Sequence, residues 1–203
     1  MANILHLDAS PRGERSISRQ LSEEFVSAWR RLHPHDLLVY RDLGHQPVPH
    51  VTEAWIAGAY SPAETHSAAS QDAMRVSDAL VDEFLAADRY VFGVPMHNFG
   101  VPSTFKAYVD QIVRVGRTFT ADGKGLVLNK KMLIVTARGG HYAFGSPSQA
   151  FDHQEPWIRT IFGFIGVSDI RFIHAQGMNR GDDARAAGLE EARQQMAELV
   201  KNW

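Results

Sequence analysis

The sequence predicts an α/β protein in which a parallel β-sheet carries helices on both faces. Short apolar runs alternate with longer segments whose apolar residues recur every three or four positions, a pattern typical of strands that alternate with amphipathic helices. The run 90–94 is apolar throughout, as expected of a strand buried on both faces of a parallel sheet. The chain has 203 residues and neither an internal repeat nor a linker, so we expect one domain over residues 1–203.

The first half of the chain begins with a strand at 4–7 that leads into a helix. Ser16 or Ser18 is the expected N-cap of this helix, and Pro34 stops it because proline cannot continue a helix. Its apolar residues at helical spacing are Leu21, Phe25, Ala28, Trp29 and Leu32. The next predicted elements are a strand at 37–40, a loop at 44–49, a short helix at 52–60, a helix-rich segment at 62–87 and a strand at 90–94.

The second half continues the alternation. A helix is predicted at 103–115, and the segment 118–128, with Asp122-Gly123 at its middle, predicts a β-hairpin. The remaining predicted elements are a strand at 132–136, a helix at 157–165 ended by Gly166, a strand at 170–174 and an amphipathic helix at 183–200. The aromatic residues Trp29, Phe84 and Phe105 are expected in the core.

Five strands separated by helices leave two common arrangements, the flavodoxin order 2-1-3-4-5 and the Rossmann order. Both place ligands beyond the carboxyl ends of the strands, where the strand order reverses. We therefore expect the loops after the first, third and fourth strands to form the functional site.

The first of these loops offers hydroxyl groups between a strand and a helix start. Ser10, Ser16 and Ser18 lie here, and the segment matches neither the dinucleotide motif G-x-G-x-x-G nor a P-loop. Hydroxyls and free N–H groups at a helix N-terminus suit a phosphate monoester. The alternative is a polar loop with an ordinary serine cap.

The loop after the third strand reads Pro95-Met96-His97-Asn98-Phe99. Its consecutive N–H groups cannot all be satisfied locally, and the Asn98 amide both donates and accepts hydrogen bonds. These groups suit the pyrimidine edge of an isoalloxazine ring. The alternative is an ordinary turn in which Met96 and Phe99 belong to the core.

The loop after the fourth strand carries paired glycines, which let a backbone approach a ligand closely. Its residues are Ala137, Arg138, Gly139, Gly140, His141 and Tyr142. His141 and Tyr142 could donate hydrogen bonds to a reduced, anionic flavin. The alternative is a flexible turn whose polar side chains face the solvent.

Composition excludes several classes of function. The chain has no cysteine, which excludes disulfides, thiolate catalysis and cysteine-ligated metals. A net charge of -2 gives no reason to expect nucleic acid or an anionic membrane as a partner. The ten histidines show no H-E-x-x-H spacing, so we expect no metal site. No secretory signal or membrane-spanning apolar run is evident, and we expect a cytoplasmic protein.

Four motifs together carry a family resemblance. They are Ser10 with 16–18, the P-M-x-N-F loop 95–99 with its following helix 102–110, the R-G-G turn 138–140, and 155–157 with 160–166. In this combination and order the chain resembles the FMN-dependent NADH-azoreductase (NADH:quinone oxidoreductase) family. The resemblance implies a flavodoxin-like fold with strand order 2-1-3-4-5 and non-covalently bound FMN.

The resemblance also implies which residues form the site. The implied FMN-binding residues are Ser10, Ser16, Ile17 and Ser18 for the phosphate, Pro95, Met96, His97, Asn98 and Phe99 for the ring, and Ala137, Arg138, Gly139 and Gly140 for its pyrimidine end. Phe119 and Phe164 match positions that line the substrate pocket. Family members are homodimers with two flavin sites at the interface, each borrowing residues from the partner.

The implied reaction is a ping-pong cycle, with hydride transfer from NADH to FMN followed by two-electron reduction of a quinone or aromatic azo compound. The choice between NADH and NADPH stays open. His97, His141 and Tyr142 are the candidate catalytic residues as proton donors, with water as the alternative. His97 stands where the family most often has tyrosine, and Ala137 where it has serine or threonine.

Two other functions compete with this hypothesis. A flavodoxin-type electron carrier would hold FMN without turning over substrate, but such carriers tend to be strongly acidic, unlike a chain of net charge -2. A phosphoester hydrolase would use the first loop as its phosphate site, but the sequence offers neither a convincing nucleophile nor a metal cluster.

Overall fold

The computed structural model describes residues 1–203 and contains one five-stranded parallel sheet. The strands are β1 (Asn3–Asp8), β2 (Leu37–Asp42), β3 (Arg89–Gly93), β4 (Lys131–Ala137) and β5 (Asp169–Ala175). Their order is β2-β1-β3-β4-β5, and every neighbouring pair is parallel. The predicted parallel sheet and the flavodoxin-like order are confirmed.

Six helices connect or follow the strands. They are α1 (Ile17–Leu32), α2 (Glu53–Ala59), α3 (Ala68–Ala86), α4 (Ser103–Ile112), α5 (Gln154–Phe164) and α6 (Asp182–Leu199). Short 3-10 turns lie at Gly13–Arg15, Ala63–Thr65 and Gln149–Phe151. None of the helices combines the length and apolar character needed to cross a bilayer.

The sheet separates two hydrophobic clusters, because successive side chains of a strand point to opposite faces. On one face, residues of α3, α4 and α5 pack against Leu5 and Leu7 of β1, and this cluster includes Phe84 and Phe105. On the other face, α1 and α6 pack against Ile4 of β1, and Trp29 is buried there. The predicted core positions of the three aromatic residues are confirmed.

Two predicted helix ends were wrong. Helix α4 ends at Ile112 rather than at 115, because the N–H of Arg114 donates to the Thr118 hydroxyl at 2.9 Å and the chain turns there. Helix α5 begins at Gln154 rather than at 157. The Asp152 carboxylate accepts the N–H groups of Gln154 and Glu155 at 3.0 and 3.1 Å and so acts as an N-terminal cap.

The other two corrections concern a cap and a hairpin. Ser16, and not Ser18, caps α1, since its hydroxyl accepts the N–H of Arg19. The segment 118–128 does reverse direction, but it forms one antiparallel bridge, between Phe119 and Gly125, and no strand. The pairing stops early because the N–H of Val127 donates to Ile165 at 2.8 Å and ties the chain to the end of α5.

Candidate active site

A cleft of about 150 Å³ lies at the carboxyl end of the sheet. It is lined by the loops after β1, β3 and β4, and by the segment that follows β5. The predicted residues that line it are Ser10, Ser16, Ile17, Pro95, Met96, His97, Ala137 and Gly139. The lining residues that sequence reasoning missed are Arg12, Met178, Asn179 and Arg185. The β1–β3 junction, where the strand order reverses, is the expected place for a ligand.

The first loop presents a set of donors. The hydroxyls of Ser16 and Ser18 lie 3.2 Å apart at the start of α1. The N–H groups of Ile17 and Ser18 find no acceptor within the protein, and the positive end of the helix dipole adds to their attraction for an anion. No carboxylate lines the cleft, whereas Arg12 and Arg185 do. The chemistry of the first loop therefore fits a phosphate group.

The second donor set lies in a tight turn after β3. His97 and Gly100 exchange two backbone hydrogen bonds of 3.1 and 2.9 Å. Between them, Asn98 (φ 48°) and Phe99 (φ 67°) both adopt the left-handed conformation. This conformation costs a non-glycine residue about 1 kcal/mol or more, and such strain concentrates at functional sites. It leaves the N–H groups of Asn98 and Phe99 without acceptors in the protein.

The turn after β3 is fixed to its neighbours by backbone bonds. The N–H of Met96 donates to Ala137 at 3.0 Å, and the N–H of His153 donates to Phe99 at 3.0 Å. Both glycines of the R-G-G turn keep unpaired N–H groups, while the carbonyl of Gly139 accepts the N–H of Asn179 at 3.1 Å. The loops after β3, β4 and β5 thus form one connected rim.

Arg138 differs from its neighbours in this rim in the direction of its side chain. Its side chain is only 1% exposed and points into the protein, where Nη1 donates to Asp152 at 2.9 Å and Nε to Gln154 at 3.3 Å. Its backbone N–H and carbonyl are bonded to Ala175 and Met178. The guanidinium therefore holds the loop in place, and the sequence alone gave no sign that its partner would be Asp152.

The three candidate proton donors occupy different positions. His97 lines the cleft, and partial burial lowers the pKa of its ring below the usual value, so it is neutral at pH 7. The Tyr142 ring lies over Gly140 and meets the edge of Phe99 at 6.2 Å between centroids, outside the cleft lining. Phe99 also stacks on Phe151 at 5.3 Å. His141 is exposed and lies beyond the lining residues.

Phe119 and Phe164 lie together but away from the cleft. Their ring centroids are 4.9 Å apart. Helix α5 begins beside the cleft rim at Gln154 and runs toward the amino end of β5, so Phe164 lies about 15 Å farther along the helix axis. Within one chain, these two rings do not line the cleft.

A buried polar pair lies in β1 beneath the first loop. His6 Nε2 and Asp8 Oδ2 are 3.5 Å apart, and the Ser22 hydroxyl lies 3.0 Å from His6 Nε2 and donates to Asp8 Oδ1 at 2.9 Å. Burial lowers the pKa of His6 to about 4 and raises the pKa of Asp8 to about 6. Between about pH 4 and 6, the folded protein retains the Asp8 proton that the unfolded chain has lost, so this group lowers stability as the pH rises. His6 has the opposite effect, because only the unfolded chain binds its proton there.

We expect His6→Asn and Asp8→Asn to tilt the pH profile of stability in opposite directions. In His6→Asn only the Asp8 effect remains, so relative to the wild type this variant loses stability as the pH rises from about 4.5 to about 6.5. In Asp8→Asn only the His6 effect remains, so relative to the wild type this variant gains stability over the same range. Urea unfolding at both pH values measures these differences, and three parallel profiles would contradict the assignment.

Comparison with known proteins agrees with this architecture. The model of a family described as having a flavodoxin-like fold matches residues 2–200. The chain is 62% identical to the FMN-dependent NADH:quinone oxidoreductase of Nostoc punctiforme and 58% identical to FMN-dependent NADH:quinone oxidoreductase 2 of Trichormus variabilis, each over 100% of both chains. The crystal structure of an azoreductase from Bacillus anthracis superposes with a TM-score of 0.91 at 27% identity, covering 100% of both chains. The chain belongs to the flavodoxin-like family, and within it to the FMN-dependent NADH:quinone oxidoreductases.

Proposed function

We propose that this protein is an FMN-dependent NADH:quinone oxidoreductase that also reduces aromatic azo compounds. The observation that carries the proposal is the cleft itself, with a phosphate-type donor set in the loop after β1 and, directly after its lining residues Pro95, Met96 and His97, a turn with free N–H groups. The names of the relatives support the same activity. When bound, FMN supplies the centre that accepts a hydride from NADH and passes two electrons to the acceptor.

In this proposal the protein mainly positions the cofactor. The hydroxyls of Ser10, Ser16 and Ser18, with the N–H groups of Ile17 and Ser18, hold the phosphate. Pro95, Met96, His97, Asn98 and Phe99 line the ring, and the N–H groups of Gly139 and Gly140 donate to its pyrimidine end. Donors aimed at that end stabilise negative charge developing there. Ala137 lines the cleft, whereas Arg138 holds the loop in place, since its side chain is buried and its backbone N–H and carbonyl are bonded within the protein.

NADH and the aromatic acceptor would occupy the same face of the cleft one after the other, which gives the ping-pong cycle. His97 is neutral and lines this face, so its ring can stack on a flat acceptor or donate a proton without adding charge. Tyr142 and His141 lie at the rim and are the alternative proton donors. NADH is the donor named for the relatives.

We also infer that the active form is a homodimer. Phe119 and Phe164 lie close together away from their own cleft, and Phe164 is 42% exposed. Leu126 and Leu128, from the segment tied to the end of α5, are exposed as well. An apolar surface of this kind suits a subunit interface. In the dimer, these two phenylalanines would complete the substrate pocket of the partner subunit.

The proposal also covers the domain organisation of the chain and its location in the cell. We infer that residues 1–203 fold as one domain, because both hydrophobic clusters pack on the same sheet. We also infer that the enzyme works in the cytoplasm, where NADH is available as a reductant.

The role of the turn after β3 is tested by Asn98→Ala with Asn129→Ala as the matched control. Both residues have left-handed backbones (φ 48° and 59°), so each alanine carries a similar strain of about 1 kcal/mol. Asn129 is remote from the cleft. We expect Asn98→Ala alone to weaken FMN retention or to slow flavin reduction by NADH, by about tenfold. Equal flavin content and equal rates in the two variants would show that the ring lies elsewhere.

A further inference from the structure

We propose that Arg19 is a positioning residue that shapes the first loop for the phosphate of FMN without touching it. The inference rests on the proposed function, because it assumes that the first loop holds this phosphate. Arg19 lies in the first turn of α1 and is buried, and it does not line the cleft. Its Nε donates to the backbone carbonyl of Ser10 at 2.7 Å.

The donors of the Arg19 guanidinium are directed away from the cleft. Nη1 donates to the Tyr40 hydroxyl at 2.9 Å and to Asp42 at 2.8 Å, and Nη2 also binds the Asp42 carboxylate. Two parallel bonds to a carboxylate fix the plane of a guanidinium. Arg19 therefore holds the Ser10 carbonyl from a fixed position, and four of its five N–H donors are used within the protein.

Asp42 anchors the loop that follows β2 against the same carbonyl. It accepts the N–H groups of Gly44 and His45, each at 3.0 Å. A Cβ atom on Gly44 would lie only 2.1 Å from the Ser10 oxygen. The Ser10 carbonyl is therefore held between Arg19 and the backbone of Gly44, with no space between them.

The direction of this carbonyl matters for anion binding. A carbonyl oxygen carries partial negative charge, and one turned toward the cleft would repel a phosphate. Arg19 holds this carbonyl, and Ser10 itself lines the cleft. Loss of Arg19 removes the donor that holds this carbonyl and lets Ser10 shift, so the part of the binding that depends on the phosphate should weaken. Contacts to the flavin ring come from the loops after β3 and β4 and should not change.

The test compares FMN with riboflavin, which has the same ring but no phosphate. Dissociation constants of both flavins are measured by fluorescence titration of the flavin-free protein for the wild type, Arg19→Gln and Arg41→Gln. Arg41 is the matched control, because it lies on β2 and forms a similar two-pronged pair with Glu83 but does not contact the first loop. We expect Arg19→Gln to weaken FMN binding by about tenfold or more, with riboflavin binding changed less than about twofold. Arg41→Gln should change neither.

If Arg19 had a merely structural role, Arg19→Gln would weaken the binding of FMN and of riboflavin equally, and that result would overturn the inference. Unchanged FMN binding in Arg19→Gln would also overturn it. If Arg19→Gln fails to fold, Asp42→Asn keeps the shape of the anchor but removes its charge and should give the same selective loss. A wild-type protein that binds FMN no better than riboflavin would instead overturn the proposed phosphate site itself. The failure of the inference and the failure of the proposed function are therefore distinguishable.

Discussion

Replacing Asp152 with alanine is expected to destabilise the protein by about 3–5 kcal/mol. The substitution leaves the Arg138 guanidinium, which is 1% exposed, without its carboxylate partner at 2.9 Å. It also removes the acceptor that caps the first N–H groups of α5. At about 2–4 °C per kcal/mol for a domain of this size, thermal unfolding should shift downward by about 6–20 °C.

An exposed ion pair provides the control for Asp152. Asp110 pairs with Lys106 one turn away on α4, and both side chains are partly exposed. Such surface pairs contribute about 0.3–0.5 kcal/mol, so Asp110→Ala should shift the midpoint very little. Similar midpoints for Asp152→Ala and Asp110→Ala would show that Arg138 does not depend on its buried partner.

Replacing Gly44 with alanine should have the largest effect on FMN binding. The new methyl group would lie 2.1 Å from the Ser10 oxygen and 2.6 Å from Nη2 of Arg19, so the backbone of the first loop must move. Overpacking of this kind costs about 1–3 kcal/mol. We expect the purified variant to retain little flavin, because the displaced residue, Ser10, is one of the three serines that we propose hold the phosphate.

Gly163 is the matched position for this substitution. It lies near the end of α5, is exposed, and a Cβ there would meet no atom within 4 Å. Alanine is the better helix former by about 0.5–1 kcal/mol, so Gly163→Ala should be neutral or stabilising and should keep its flavin. Full FMN content in Gly44→Ala would contradict the close packing at Ser10.

The sheet and the position of the cleft were predictable because they depend on local patterns. Apolar runs such as 90–94 identify buried strands, and parallel strands bring the loops that follow them to one edge. Serine at the start of α1 and the turn of Asn98 and Phe99 could be identified for the same reason. Each of these features depends on residues that are neighbours in the sequence and not on distant partners.

Features that depend on distant partners were not predictable. The sequence 137–140 does not show that the Arg138 side chain points inward, because its partner lies on another loop. The Asp152 cap that starts α5 early depends on the same loop. Asn179 and Arg185 reach the cleft only because β5 lies beside β4. His6, inside an apolar run, reads as an ordinary strand residue until Asp8 and Ser22 are placed around it.

We propose that the cleft holds FMN and that NADH reduces it there. Visible absorption of the purified protein under anaerobic conditions tests this claim most directly. We expect a yellow protein whose absorption is bleached by NADH and restored by a quinone. A protein that stays yellow with NADH would be an electron carrier rather than this enzyme. A colourless protein that cannot be loaded with FMN would contradict the account altogether.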